Sequence, residues 1–145
     1  MIELIKINQH GKLGNETAGI PLEFSEVIEV TIALYETEGF EEPWISYAAK
    51  SNDNIVGLCS FKSPPRQGRV EIAYFTFPAF EGKGLGTAMA ENLLKIARAA
   101  EPDIGIFAQT LPVDSASTAI LTKLGFTLTG TVQHPEDGMV WEWET

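Results

Sequence analysis

In the stretch Glu81-Gly82-Lys83-Gly84-Leu85-Gly86, three glycines fall within five residues and enclose a lysine. Glycine adopts positive φ freely and lets the main chain approach a ligand closely. A β-like run, Val70 to Phe77, enters this turn, and a helical pattern leaves it. Unpaired N–H groups and the positive end of a helix dipole therefore converge on one point, and an anion is the expected occupant. Lys83 adds a mobile positive charge of the kind that suits a phosphate. On the entering strand, Glu71 offers a carboxylate able to take a proton, and Ser115, Ser117 and Thr122 supply hydroxyls further along the chain.

Two nucleotide-binding patterns compete for the turn and neither fits. A dinucleotide fingerprint needs Gly-x-Gly-x-x-Gly after the first strand of a βαβ unit, whereas here the glycines stand at 82, 84 and 86 in mid-chain and Thr87 follows. A P-loop needs Gly-Lys followed by Ser or Thr, and Lys83 is followed by Gly84. A tight strand-to-helix connection whose glycines serve packing alone is the plain alternative.

The surrounding pattern is mixed α/β. Ile2 to Ile7 alternates apolar and polar residues as a half-buried strand does, and Asn8 to Gly19 is loop-like. Pro21 suits the first position of a helix over Leu22 to Glu38, with Leu22, Val27, Ile28, Ile32 and Tyr35 for its apolar side and Gly39 as its end. Trp44 to Lys50 and Asn54 to Phe61 form a hairpin around Ser51-Asn52-Asp53. Leu85, Met89, Leu93, Leu94, Ile96 and Ala97 recur at helical spacing after the glycine turn, and Pro102 stops that helix. Ile104 to Gln109 is a short strand, so a strand–helix–strand unit has the glycine turn at its first junction. A helix from Ser115 to Leu124, capped by Asp114 and ended by Gly125, precedes a last hairpin of Phe126 to Val132 with Met139 to Trp143. The expected fold class is α/β of the mixed α+β kind: a central twisted mixed sheet of about seven strands flanked by helices.

Composition bounds the rest. The 145 residues, 44% hydrophobic, suffice for one domain over 1–145 with its own core. Cys59 is the only cysteine, so no internal disulfide is possible, and its apolar strand context makes it a buried, inert thiol. With two distant histidines, His10 and His134, no metal site is expected. No apolar run of membrane length and no signal peptide stands out, so no membrane partner is expected and the cytoplasm is the default location. A net charge of −10 repels phosphate backbones, which excludes nucleic acid as the expected partner and favours cationic small molecules or basic peptides; solubility alone also explains it.

The glycine turn and the later stretch Asp114-Ser115-Ala116-Ser117-Thr118-Ala119-Ile120-Leu121-Thr122-Lys123-Leu124-Gly125-Phe126 together resemble the GCN5-related N-acetyltransferase (GNAT) family. Its pyrophosphate turn has the form Gln/Arg-x-x-Gly-x-Gly/Ala, and its next motif is an Asn-x-x-Ser/Ala helix that ends in Leu-Gly-Phe. The resemblance covers about the C-terminal half and implies the acyl-CoA N-acyltransferase fold, with acetyl-CoA as cosubstrate. It implies that the N–H groups of Gly82, Lys83, Gly84, Leu85, Gly86 and Thr87 hold the pyrophosphate, with Glu81 opening the turn. It also implies that the pantetheine arm lies along Phe75, Thr76 and Phe77 like an added strand, and that Asp114 and Ser117 stand near the coenzyme.

Acetyl transfer to an amine needs a deprotonated nucleophile, stabilisation of the oxyanion and a means for the thiolate to leave. The resemblance makes Glu71 the candidate general base, direct or through water, and a main-chain N–H near Phe75 to Phe77 the oxyanion donor; a solvated strand glutamate is the alternative for Glu71. Where many relatives carry a tyrosine proton donor this chain has Leu121, so Ser115, Ser117 or Thr122 takes that role or the thiolate leaves unprotonated. Glu81 and Asp114 place negative charge where the family has neutral or positive groups.

The resemblance implies an acceptor cleft walled by the N-terminal helical segment and the last hairpin loop, here Glu36, Glu38, Glu41 and Glu42, then Glu136 and Asp137. That acidity points to a cationic amine or a protein N-terminus as acceptor, with His134 nearby. Trp141 and Trp143 share a strand face, suited to sheet packing or to an edge contact in a homodimer. The competing function is a non-catalytic acyl-CoA-binding sensor of the same fold.

Overall fold

The computed structural model describes residues 2–14 and 19–145; of the expected first loop, positions 15–18 lie outside the described residues. Among the described residues there are seven strands: β1 (Glu3–Lys6), β2 (Ser46–Ser51), β3 (Asn54–Phe61), β4 (Arg69–Thr76), β5 (Gly105–Thr110), β6 (Thr127–His134) and β7 (Gly138–Glu144). They make one sheet in the order β1-β2-β3-β4-β5-β7-β6. Only β4 and β5 run parallel, joined by the crossover helix α2 (Leu85–Ala100); every other neighbouring pair is antiparallel. The β2–β3 hairpin turns on Asn52 and Asp53, whose φ values of 48° and 66° are the left-handed pair that a two-residue hairpin needs.

Alternation along β3 assigns the two faces. Cys59 and Phe61 point to the larger core, where Val70 and Ile72 of β4 meet Met89 and Leu93 of α2. Leu58 points the other way, toward Phe24, Val27 and Ile28 of helix α1 (Phe24–Glu38) and toward Phe77. Helix α3 (Ala116–Lys123) joins the α2 side through Leu121, which is fully buried. Burial holds the Cys59 thiol well above its usual range, in keeping with an inert core residue.

Helix α1 starts two residues later than the spacing suggests. Phe24 N–H donates to the Pro21 carbonyl in a turn, Leu22 is 93% exposed, and Phe24 is the first apolar side chain to reach the core, edge-on to Phe77. At the other end, Gly39 N–H closes the helix on the Tyr35 carbonyl. Among the described residues no helix is long and apolar enough to cross a membrane.

The feature that matters for a ligand is where β4 and β5 part. They pair only from Arg69 to Glu71 against Gly105 to Phe107, and beyond that point β4 runs on to Thr76 alongside β3 alone. Trp143 packs inward on β7, its Nε1 donating to Thr110 Oγ1 at 3.0 Å, so its face belongs to the sheet interior.

Candidate active site

Hydrogen bonds on the β3 side fix which way the β4 main chain faces. Lys62 N–H donates to the Glu71 carbonyl and Phe77 N–H to the Val56 carbonyl, each at 2.9 Å. Antiparallel alternation then turns Glu71, Ala73, Phe75 and Phe77 toward β3, and leaves the N–H and C=O of Tyr74 and Thr76 facing the gap beside β5. This corrects the expectation for Phe75 and Phe77. Their main chains belong to the sheet, and the open row is carried by Tyr74 and Thr76. The Phe77 side chain is buried, whereas Phe75 is half-exposed and lines the gap, edge-on to Phe77 at 5.6 Å.

After a short 3-10 turn, Pro78–Phe80, comes the glycine turn. Gly82 and Gly84 have φ of 80° and 75°, the left-handed region where side chains are strained, and Gly84 forms the N-cap of α2. Among the described residues, the N–H groups of 82 to 87 meet no acceptor; the first helical bond is Ala88 N–H to the Gly84 carbonyl. A cleft of about 550 Å³ opens in front of them, walled by Tyr74, Phe75, Thr76, Phe80, Glu81 and the start of α3. Gly82, Gly84, Leu85, Gly86 and Thr87 all line it; Lys83 instead holds its Nζ 6.0 Å from the Phe80 ring centre. Gly86 permits the close approach of α3, because a Cβ there would lie 2.9 Å from Ile120 Cδ1.

Asp114 is not the cap of α3. Ser115 is, with Thr118 N–H donating to Ser115 Oγ at 3.3 Å and Ser115 N–H to Thr118 Oγ1 at 2.9 Å. The reciprocal pair satisfies two donors at once, which a single aspartate one residue earlier does not do. Asp114 is exposed and lines neither cleft. Gly125, at φ 89°, ends the helix, and Phe126 N–H returns to the Leu121 carbonyl.

A second cleft, of about 400 Å³, lies on the other side of the β4–β5 fork. Glu71, Gln109, Thr110, Ser115, His134 and Asp137 contribute polar groups to it, Lys62 a cation, and Leu111 and Val113 two exposed apolar side chains. Ser117 lines both clefts. Glu71 is half-buried, and burial raises its pKa above the usual carboxylate range; Glu142 pushes the same way, while Lys62, His134 and Arg69 oppose. His134 Nδ1 accepts N–H bonds from Glu136 and Asp137 at 3.1 Å each, which fixes the ring at the rim of this cleft.

The expected acidic walls are mostly elsewhere. Glu38 pairs with Arg66 at 2.7 Å and Glu42 with Lys6 at 2.6 Å, and of the six acidic residues named for the acceptor only Asp137 lines the cleft. Sequence reasoning also passed over Tyr74, whose hydroxyl donates to the Ser117 carbonyl at 3.1 Å. Its strand face was legible; the helix turn it would meet was not.

The paired clefts, open sheet edge and free helix terminus have counterparts in known proteins. Residues 20–127 match the family model described as an acetyltransferase (GNAT) domain. No curated protein sequence matches the chain. Three solved structures share its fold: a RimL ribosomal L7/L12 alpha-N-protein acetyltransferase in complex with coenzyme A (20% identity, TM-score 0.65, 85% of this chain and 71% of that one), the microcin C7 self-immunity acetyltransferase MccE in complex with acetyl-CoA and AMP (22%, 0.64, 85% and 69%), and the aminoglycoside acetyltransferase AAC(6')-Ib in complex with coenzyme A (23%, 0.59, 70% and 65%). Because the family model takes in most of the chain, with both the glycine turn and the fork between β4 and β5 inside it, the chain belongs to the GNAT acetyltransferase family.

Proposed function

We propose that this acetyltransferase moves the acetyl group of acetyl-CoA to a primary amine of a small molecule or a peptide N-terminus by direct attack, with Glu71 as general base. The observation that carries this reading is the meeting of two clefts at Ser117, one fronted by six free N–H groups and the other holding a half-buried carboxylate. A pyrophosphate accepts from residues 82 to 87, where the helix dipole also favours negative charge. The pantetheine arm runs along the open row, whose N–H donors at Tyr74 and Thr76 serve an arm amide and the thioester oxygen. Ser117, at the junction, hydrogen-bonds the coenzyme.

Glu71 has the environment a base needs. An alkylammonium has a pKa of about 10.4, so a proton must leave before nitrogen can attack. A carboxylate whose pKa is raised by burial accepts that proton, directly or through one water, better than a fully solvated one. The relatives support an amine acceptor, since one carries the description of an alpha-N-protein acetyltransferase and another of an aminoglycoside acetyltransferase. The net charge of −10 favours cationic acceptors at long range. We place this activity in the cytoplasm and in one domain spanning 1–145.

A non-catalytic acetyl-CoA sensor is favoured by one observation: Leu121, at the helix position where relatives carry a phenol, is sealed in the core. Two measurements decide between the readings. A thermal-shift comparison of acetyl-CoA, coenzyme A, NAD and ATP should show stabilisation by the first two only. Thiol release across a panel of cationic, neutral and peptide amines at low salt should then show turnover that Glu71→Gln abolishes while coenzyme binding persists. Binding without thiol release from any amine would leave the sensor.

A further inference from the structure

The departing sulfur of coenzyme A carries a developing negative charge, and among the described residues no cation lines the cleft that receives the coenzyme, Lys62 lying in the other. We propose that the Tyr74 hydroxyl donates a hydrogen bond to that sulfur and so stabilises the thiolate as it leaves. This inference rests on the acetyl-transfer reading of the same site.

Three placements converge on Tyr74. Its main chain belongs to the open row of β4, along which the arm runs toward the fork, so the end of the arm arrives beside this residue. Its side chain lines the coenzyme cleft, and its hydroxyl reaches the Ser117 carbonyl at 3.1 Å, at the residue the two clefts share. The hydroxyl is also free to change partner. Rotation about its C–O bond redirects the proton, and the Ser117 carbonyl, in the first turn of α3, keeps an intrahelical donor four residues on.

Burial, partly offset by the bond to Ser117, pushes the Tyr74 phenol up to about 12. A thiol titrates near ~8.5, so the phenol keeps its proton and acts as a hydrogen-bond donor rather than as an acid. The sequence of events balances as follows. Glu71 first takes the ammonium proton and passes it to water, which frees the nitrogen lone pair; the lone pair attacks the thioester carbon, a C–N bond forms, and the second nitrogen proton passes to the emptied Glu71. Collapse of the tetrahedral adduct breaks the C–S bond, whose electron pair stays on sulfur under the Tyr74 O–H. Glu71 returns its proton to water, and the thiolate takes one from water on release.

The test reads the sulfur directly. Titrating the thiol of bound coenzyme A by its thiolate ultraviolet absorbance should give an apparent pKa below that of free coenzyme A in the wild type, and no depression in Tyr74→Phe. With an amine that turns over, Tyr74→Phe should lower kcat about 10- to 100-fold, the range for losing one hydrogen bond to a charged group, while KM for acetyl-CoA changes less than twofold. A tyrosine that merely clamps β4 to α3 would lower Tm on substitution and leave the thiol titration where it was; that result, or an unchanged kcat, overturns the proposal. If Tyr74→Phe does not fold, 3-fluorotyrosine at position 74, a stronger donor, should depress the bound thiol further, and no change would overturn the proposal equally. The titration needs no acceptor, so failure of every amine to release thiol would sink the transfer reading without deciding the contact between Tyr74 and sulfur.

Discussion

Lys62 and Glu71 are cross-strand partners: the Lys62 N–H donates to the Glu71 carbonyl at 2.9 Å, and both side chains line the second cleft. Directly paired residues in an antiparallel ladder present their side chains to the same face, so a cation stands beside the candidate base. Burial raises the Glu71 pKa and Lys62 is the largest opposing influence.

Lys62→Met should therefore move the acid limb of the pH–rate profile to higher pH. With the cation gone the ionised carboxylate is less favoured, and a higher pH is needed to generate the base. Glu71→Gln should remove that limb altogether and lower kcat by about 10²- to 10⁴-fold, the usual contribution of a positioned base. Rates of thiol release between pH 5 and 9 check both variants. A limb that stays put in Lys62→Met would mean that another group sets the profile.

The same shift makes a statement about stability, with the opposite sign from a salt-bridged acid. A carboxyl with a raised folded-state pKa binds more protons folded than unfolded, so stability falls as pH rises from the unfolded value through the folded one. Glu71→Gln removes the charged group that burial penalises. Its Tm should equal or exceed that of the wild type at pH 7 to 8, and the difference should vanish once the pH lies below the unfolded carboxylate range. Calorimetric scans at several pH values measure it, and a variant less stable at neutral pH would show that the carboxylate makes compensating contacts.

The glycine turn predicts a separable loss. Gly84→Val places a branched residue at φ 75°, where left-handed backbone costs about 1–2 kcal/mol, and disturbs the N–H groups that front the cleft. Gly68 has the same φ in a turn that faces neither cleft, so Gly68→Val carries a similar backbone penalty. Calorimetric titration with coenzyme A should show at least a tenfold weaker Kd for Gly84→Val and little change for Gly68→Val. Equal effects would mean that backbone strain, rather than the turn's donors, governs binding.

The geometry of the glycine turn was legible because it depends on main chain. Glycines at 82 and 84 after a strand and before a helix favour positive φ and free N–H groups, and the structure shows both there, while Gly86 lies in the helix and serves the close approach of α3. The phase of the strand was not legible. Which of Phe75 or Thr76 turns its amide outward follows from pairing with β3, and that register is set by a partner strand distant in sequence. The cap of α3 went to Ser115 because Thr118 reciprocates, a pattern visible in Ser115-Ala116-Ser117-Thr118 once threonine is counted among the residues able to close the box. The acidic set was misplaced because Glu38 and Glu42 find Arg66 and Lys6, pairings that no local pattern announces. Leu22 misled for a simpler reason: apolar spacing marks a helix face, but a turn at Pro21 withholds that residue from the core.

Gly57 links the core to the coenzyme cleft and gives the last prediction. It sits on β3 opposite Thr76, and a Cβ added there would press on the Phe75 carbonyl oxygen and approach Met89 Cε to 3.0 Å. The methionine can swing aside; the carbonyl, part of the β3–β4 ladder, cannot move without shifting the strand whose other edge faces the cleft. Gly57→Ala should thus cost about 1–3 kcal/mol, as overpacking does, and lower Tm by about 2–4 °C for each kcal/mol in a chain of this size. Because the displaced segment carries the Tyr74 and Thr76 amides, KM for acetyl-CoA should rise as well. Ala90→Gly, on the buried face of α2 and lining neither cleft, should lower Tm without that rise. A Gly57→Ala protein that melts early yet keeps its coenzyme affinity would show that the arm takes its hydrogen bonds from somewhere other than the open row of β4.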